Sequence, residues 1–479
     1  MMRHHGPLLP ALAAAAALAC GAPPSLRAMP QGQLYFPTGM FFARPAGAPE
    51  RSGALFVASS NFDRRYGTGR LSGIDVSALA CGVAPAGACV PDFPAPRAAV
   101  IDIVSLGGPV EKGLASLAGE MDGIEDPAVP GTFRLVIPSR AEGSPLQIAD
   151  ATGAEIACAG DPSAEDCSAA AFSLEANRLV GAGVPRAPAP FSASIYKGPD
   201  VPNTTGTGPP FLVETGDTFV TSLQVADSPA ASGQGFRAYA VSLNVLDDEV
   251  VSDDSFLQLG LSPTESVAMG QRYAFMSGPQ SVALRMVDHW SESPRVINST
   301  VEGQFNLLDT RGLALAPDES QLFLVVRRPD ALLALRVRGG LGDFPSLGVI
   351  HAQLLPLGAS QVRVVDKPSG GHVAFISCVG TQSYDAVGSS QGALVVWDDA
   401  SAKVVSLLDG FGFQPYGLAI QTIGGGARVY IGLFGEGRIA VVDVPDLDAP
   451  DDVRLVARLG TSHVCTVNPS ALGCTETTP

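Results

Sequence analysis

The residues of this 479-residue chain with the most chemistry in them are its eight cysteines and six histidines. Six of the cysteines fall into three local pairs: Cys81 with Cys89, Cys158 with Cys167, and Cys465 with Cys474. The intervening segments GVAPAGA, AGDPSAED and TVNPSALG each contain Pro and Gly, so each can fold back on itself. Each pair is expected to close a small disulfide loop worth roughly 2–3 kcal/mol. Such bonds require an oxidising compartment. Zinc ligation is disfavoured, because zinc sites favour two to four residues between cysteines. Cys378 lies in the strand-like run HVAFISCVG and reads as a buried thiol.

The other reactive residues form no recognisable site. His289, His351, His372 and His463 share no metal-ligand spacing such as HxxxH, and read as solvated or hydrogen-bonded side chains. No serine sits in a GxSxG elbow. No phosphate-binding loop of the Walker type occurs, and the GGGAR run at Gly424 is a turn between strands with no helix after it. Acidic groups at Asp247-Asp248-Glu249, Asp253-Asp254 and Asp446 to Asp452 read as solvated turn carboxylates, since calcium needs several converging oxygens. No catalytic or metal-ligating residue is assigned, and no cofactor is expected.

The formal net charge is −17. The only lysines are Lys112, Lys197, Lys367 and Lys403. This argues against nucleic acid, whose affinity rests on basic side chains neutralising phosphates. It also argues against an anionic membrane surface.

The elements that must position any site are strands. Gly417 to Val444 reads GLAIQTIGGGARVYIGLFGEGRIAVVDV, and Gly312 to Val337 reads GLALAPDESQLFLVVRRPDALLALRV. Each is a short apolar strand, a turn, a β-branched strand, a second turn and a third apolar strand. Pro37-Thr38-Gly39 followed by ALFVASS and GRLSGIDV repeats Pro415-Tyr416-Gly417 followed by RVYIGLF and GRIAVVDV. Weaker copies begin at Thr132, Thr218, Gln271 and His372. Runs such as LFLVV are apolar on both faces, as strands packed between neighbouring sheets must be. An all-strand repeat of about 50 residues predicts a single all-β β-propeller of about seven four-stranded blades. Six or eight blades remain open, because 106–130 and 163–194 are irregular. Residues 33–36, QLYF, are expected to complete the last blade and tie the chain ends together.

The Gly-Leu-Ala start, the Pro317-Asp318-Glu319 turn, the Val-Tyr-Ile-Gly run and the Val442-Asp443 ending are similar to YVTN-type propeller repeats. The likeness is firm over 310–445 and 35–76. It implies a secreted or surface-attached propeller and carries over no catalytic residue. Only Trp290 and Trp397 occur, so the repeated tryptophan motif of quinoprotein dehydrogenase propellers is missing. At the N-terminus, Arg3 precedes an apolar run from Leu8 to Leu18, the length of a signal-peptide core and too short to span a bilayer. Ala17-Leu18-Ala19-Cys20-Gly21 then resembles the lipobox of bacterial lipoproteins, which implies a diacylglycerol on Cys20. Ordinary cleavage after Ala19 would instead give a secreted protein, and an unmodified Cys20 could pair with Cys378.

The expected organisation is a lipoprotein signal peptide over 1–19, a flexible lipidated tether over 20–32, the propeller over 33–462, and a disulfide-closed tail over 463–479. The expected function is that of a cell-envelope lipoprotein, anchored by lipid alone at the outer membrane, on its periplasmic or surface face. As a monomer it would bind an envelope protein, peptide or glycan through loops at one channel mouth. Asn61–Thr68, Cys81–Cys89, Cys158–Cys167 and Tyr196–Pro210 are expected to build that surface. The alternative is a lactonase-type hydrolase, with or without a divalent metal in the central channel.

Overall fold

The computed structural model describes residues 29–460, apart from 63–65, 78, 80–98, 102, 104–109, 142–144, 175–188, 209, 223–237, 248–255, 261–263, 279–283, 290–294, 300, 303–308, 339–345 and 381–390. The expected seven blades are present, each built on four antiparallel strands that follow in chain order from the channel outward, with Ala99–Ile101 intervening in blade 1 and the short Val201–Pro202 and Phe211–Val213 hairpin in blade 3. Their innermost strands are Pro37–Ala43, Asp122–Glu125, Pro190–Ile195, Val267–Met269, Thr310–Leu315, Ala359–Asp366 and Pro415–Ile423. We number the blades 1 to 7 in this order.

The reason for the doubly apolar strands is visible at the seams. Seven apolar clusters stand at the seven junctions between neighbouring blades. Strands such as Ala54–Ser59, Gln321–Val326 and His372–Cys378 send alternate side chains into the seams on either side. Phe323 thus packs toward blade 6, while its neighbours Leu322 and Leu324 pack toward blade 4. Burying each such side chain stabilises the fold by about 1.5–3 kcal/mol.

Inner strands all run the same way along the channel. The face where they begin is here called the N face, and the face where they end the C face. First-to-second and third-to-fourth strand turns therefore lie on the C face. Second-to-third turns and the links between blades lie on the N face.

Two expectations are corrected. Residues 33–36 form no strand. Blade 7 already has four strands of its own, Pro415–Ile423, Gly426–Leu433, Arg438–Val444 and Arg454–Leu459. Its free outer edge is taken by Ala99–Ile101, which pairs in parallel with Ala457 to Leu459. Tyr35 and Phe36 instead bury their rings on the N face with Met29, Phe191, Val379, Tyr416 and Phe434. Met29, within the span expected as tether, is thus already seated.

Of the four loops, Cys81–Cys89 lies outside the described residues, and the other three do not share a surface. Asn61–Thr68 joins the second and third strands of blade 1 and lies on the N face, where Tyr66 packs 4.7 Å from Tyr35. Tyr196–Pro210 follows the inner strand of blade 3 and lies on the C face. Antiparallel pairing puts these two turns at opposite ends of their strands. Cys158 and Cys167 are disulfide-bonded. Their loop sits on the outer strand of blade 1, where Gly113 N donates to Glu165 O at 2.7 Å and Lys112 Nζ to Ala164 O at 2.6 Å. Cys20, Cys81, Cys89, Cys465 and Cys474 lie outside the described residues.

Candidate channel site

Equivalent positions in the blades decide what the channel contains. The inner strands of blades 1, 3, 5, 6 and 7 each carry a register shift in their first residues. Two residues beyond each start stand Gly39, Ser192, Gly312, Gln361 and Gly417. Ala118 and Thr264 open the same approach in blades 2 and 4, which adds Glu120 and Ser266 to the ring.

The three glycines are required by close contact between inner strands. A Cβ on Gly39 would lie 2.4 Å from Gly119 O, one on Gly312 2.6 Å from Ser360 O, and one on Gly417 2.7 Å from Thr38 O. The four polar members instead meet one another. Ser192 Oγ and Ser266 Oγ donate to Glu120 Oε2 at 3.1 and 3.2 Å, and Gln361 Nε2 donates to Glu120 Oε1 at 2.6 Å. All four are buried. This layer crosses the channel from blade 6 to blade 2, and the Phe36–Phe434 cluster packs on its N-face side. Burial pushes the Glu120 carboxyl above the usual range; Arg363 opposes this and the nearby Glu265 adds to it. Glu265 is itself ion-paired with Arg311, whose Nε also lies 2.7 Å from Asp309 Oδ1.

Two residues further along the inner strands, the ring reads Phe41, Asp122, Ser194, Ala268, Ala314, Arg363 and Ala419. Its small side chains leave space. A pocket of about 600 Å³ opens from here toward the C face, lined by residues of all seven inner strands and by Tyr196 to Gly198 and Pro317. Its lining is about equally polar and apolar: Met40, Met121, Met269, Leu313 and Leu418 stand beside Asp122, Lys197, Glu319 and Arg363. Asp122 accepts from Ile195 N at 2.9 Å and from Lys197 Nζ at 2.7 Å. Glu319 accepts from Gln271 N at 2.7 Å, and burial pushes its carboxyl up. Arg363 donates one bond, Nη1 to Val362 O at 3.0 Å. Among the described residues no carboxylate lies within ion-pairing distance of it.

The histidines take structural places. His289 is buried, with Nε2 2.9 Å from Gly270 O, and burial pushes it down to about 4. It is therefore neutral and donates to that carbonyl. His351 packs its ring 6.0 Å from that of Trp397. His372 sets Nδ1 3.0 Å from Asp366 Oδ1 and Nε2 3.4 Å from Ser320 Oγ. This has the order of a hydrolytic triad, but the Ser320 hydroxyl is held by Asp318 Oδ1 at 2.7 Å. His463 lies outside the described residues. Of the acidic groups, Asp448 accepts from Ser369 N and Oγ, and Asp452 pairs with Arg454. Among the described residues no group of three or more His, Cys, Asp or Glu side chains is placed to hold a metal.

The fold has relatives in shape, and only in shape. No family model matches the chain. No curated protein matches it either. Among solved structures it is similar to a protein assigned as a 6-phosphogluconolactonase from Bacteroides uniformis, with 11% identity over 81% of this chain and 86% of that one, TM-score 0.43. Apo AztD from Citrobacter koseri gives 14% identity over 88% and 89%, TM-score 0.38. BBS1N, in its complex with ARL6, gives 10% over 89% and 94%, TM-score 0.44. These likenesses assign no activity.

Sequence reasoning missed Glu120, Ser192, Ser266, Gln361 and Arg363. One signal was available. Gln361 starts its repeat where Gly312 and Gly417 start theirs. A long polar side chain at a position that otherwise demands glycine has only the channel to enter.

Proposed function

We propose that this chain is a cell-envelope lipoprotein whose propeller is a binding module, taking its ligand in the C-face pocket of the channel. The observation that carries the binding reading is the asymmetry of the channel. It is crossed by a hydrogen-bonded polar layer toward one face and opens as a pocket of about 600 Å³, lined by apolar and charged side chains together, at the other. Pockets of this size bury small ligands or the end of a larger one. The lipobox-like segment and the Cys158–Cys167 disulfide support an address in an oxidising compartment. Among the described residues no helix is long and apolar enough to cross a membrane. A protein, peptide or glycan remains the expected partner. The lactonase-type alternative needs converging carboxylates, and Glu120, Asp122 and Glu319 are each engaged with different partners.

The test is a panel of peptides and oligosaccharides scored by thermal shift against the full chain and two variants. Ser194→Trp fills the pocket, and Phe62→Ser alters the exposed part of the N face. Binding lost only in Ser194→Trp is expected. Loss only in Phe62→Ser would move the site to the opposite face. For the address, wild type should partition into the detergent phase of a phase-separating extract and Cys20→Ser into the aqueous phase. Equal partitioning would remove the lipid anchor.

A further inference from the structure

We infer that the C-face pocket selects a carboxylate carried on an apolar body, with Arg363 as its anchor. The inference rests on the channel-binding reading above and adds the ligand's chemistry.

Charges in the pocket are unevenly satisfied. Asp122 is matched by Lys197 at 2.7 Å. Glu319 holds a backbone N–H. Glu120 has three donors of its own. Arg363 has five N–H donors and spends one on the carbonyl of the preceding residue. Its strand fixes it in the ring whose other members include Ser194, Ala268, Ala314 and Ala419, so the space beside it is open. A planar guanidinium in such a place pairs with a carboxylate through two parallel bonds.

The rest of the pocket describes the rest of the ligand. Beyond Arg363 the walls include Met, Leu, Val and Ile side chains beside the already engaged Asp122, Lys197 and Glu319, and unbranched methionines adapt to irregular apolar shapes. Glu120 lies close enough to feel the Arg363 charge, but its carboxylate oxygens are already taken by Ser192, Ser266 and Gln361. Two sources supply this chemistry: the free C-terminus of an apolar peptide, and a free acyl acid.

The experiment uses the purified full chain and isothermal titration with four probes: octanoate, octanamide, acetyl-Ala-Val-Leu as the free acid, and the same peptide as its C-terminal amide. At least one acid should bind ten-fold or more tightly than its amide. That preference should collapse to about one in Arg363→Gln and survive in part in Arg363→Lys, which keeps the charge and loses the fork. An unchanged thermal midpoint in Arg363→Gln keeps misfolding out of the comparison. The tighter of the two acids identifies the source. Equal binding of acids and amides would overturn the inference and leave the pocket standing. An acid preference that persists in Arg363→Gln would also overturn it, as would binding of none of the four. The pocket itself is judged separately, by Ser194→Trp against the wider panel.

Discussion

Removing one imidazole should flatten part of this protein's acid sensitivity. His289 is buried between blades 3 and 4, its ring 5.8 Å from that of Phe219, and burial holds it at about 4 against an ordinary value of 6.5. The folded-state value is depressed, so the unfolded chain takes up a proton first as the pH falls. The stability this residue contributes is complete above about pH 6.5, declines from there to about pH 4, and levels off below. A difference of about 2.5 units at 1.36 kcal/mol each gives a loss of about 3 kcal/mol. His289→Gln can still donate to Gly270 O and has no proton to titrate. For roughly 430 cooperative residues the unfolding entropy is about 0.9 kcal/mol/K, so the loss corresponds to about 3–4 °C. Calorimetric midpoints at half-unit intervals from pH 7.5 to 4 give the assay. The wild type should fall about 3–4 °C further than His289→Gln across that range. Parallel curves would refute the reasoning, because the imidazole would then titrate alike in both states.

Asp217 should behave with the opposite sign. Burial pushes its carboxyl up to about 6, helped by Glu214 and Asp247, so its contribution is present at low pH and lost as pH rises through about 6. Asp217→Asn should raise the midpoint at pH 7.5, by the equivalent of about 1–2 kcal/mol, and not at pH 4. Cys378 is fully buried, and burial pushes its thiol up. A thiol reagent should label it only on unfolding, as read by intact-mass spectrometry, and labelling of the native protein would contradict its seat between blades 5 and 6. Replacing Cys158 and Cys167 together by Ser should lower stability by about 2.5 kcal/mol, a midpoint drop of about 3 °C. An unchanged midpoint would mean that the Lys112 and Gly113 contacts hold the loop unaided.

The fold was legible because it repeats. Each seam needs apolar residues on both faces of the strands beside it, and that demand recurs often enough to be read from 54–59, 321–326 and 426–433. The channel was not legible, because its chemistry is assembled from one residue per blade. Glu120 and Gln361 are 241 positions apart, and neither has a local motif that marks it. Blade 2 hid its share further, since Glu120 stands in the irregular stretch before Asp122. Leu34-Tyr35-Phe36 misled for a different reason. Apolar and aromatic residues suit a strand and suit a hydrophobic cap equally, and only the number of strands already in blade 7 decides between them.

Blade 7 has no strand contributed by the N-terminus, and this shapes how the molecule must assemble. Blades 1 to 6 can each form their four-stranded core from a local stretch of chain as the chain lengthens. The ring cannot close until blade 7 presents Tyr430, Ile439 and Val441 to Met40, Leu55 and Val57 of blade 1. Until then the intermediate is an open arc whose first blade has a bare apolar side, held apart from its partner by a sequence distance of nearly the whole chain. Closure of so long a loop is slow, and an exposed blade face is a site for association with other chains. The short parallel pairing of Ala99–Ile101 with blade 7 is then the clasp of the ring. A chain cut after any earlier blade should aggregate rather than yield a smaller propeller.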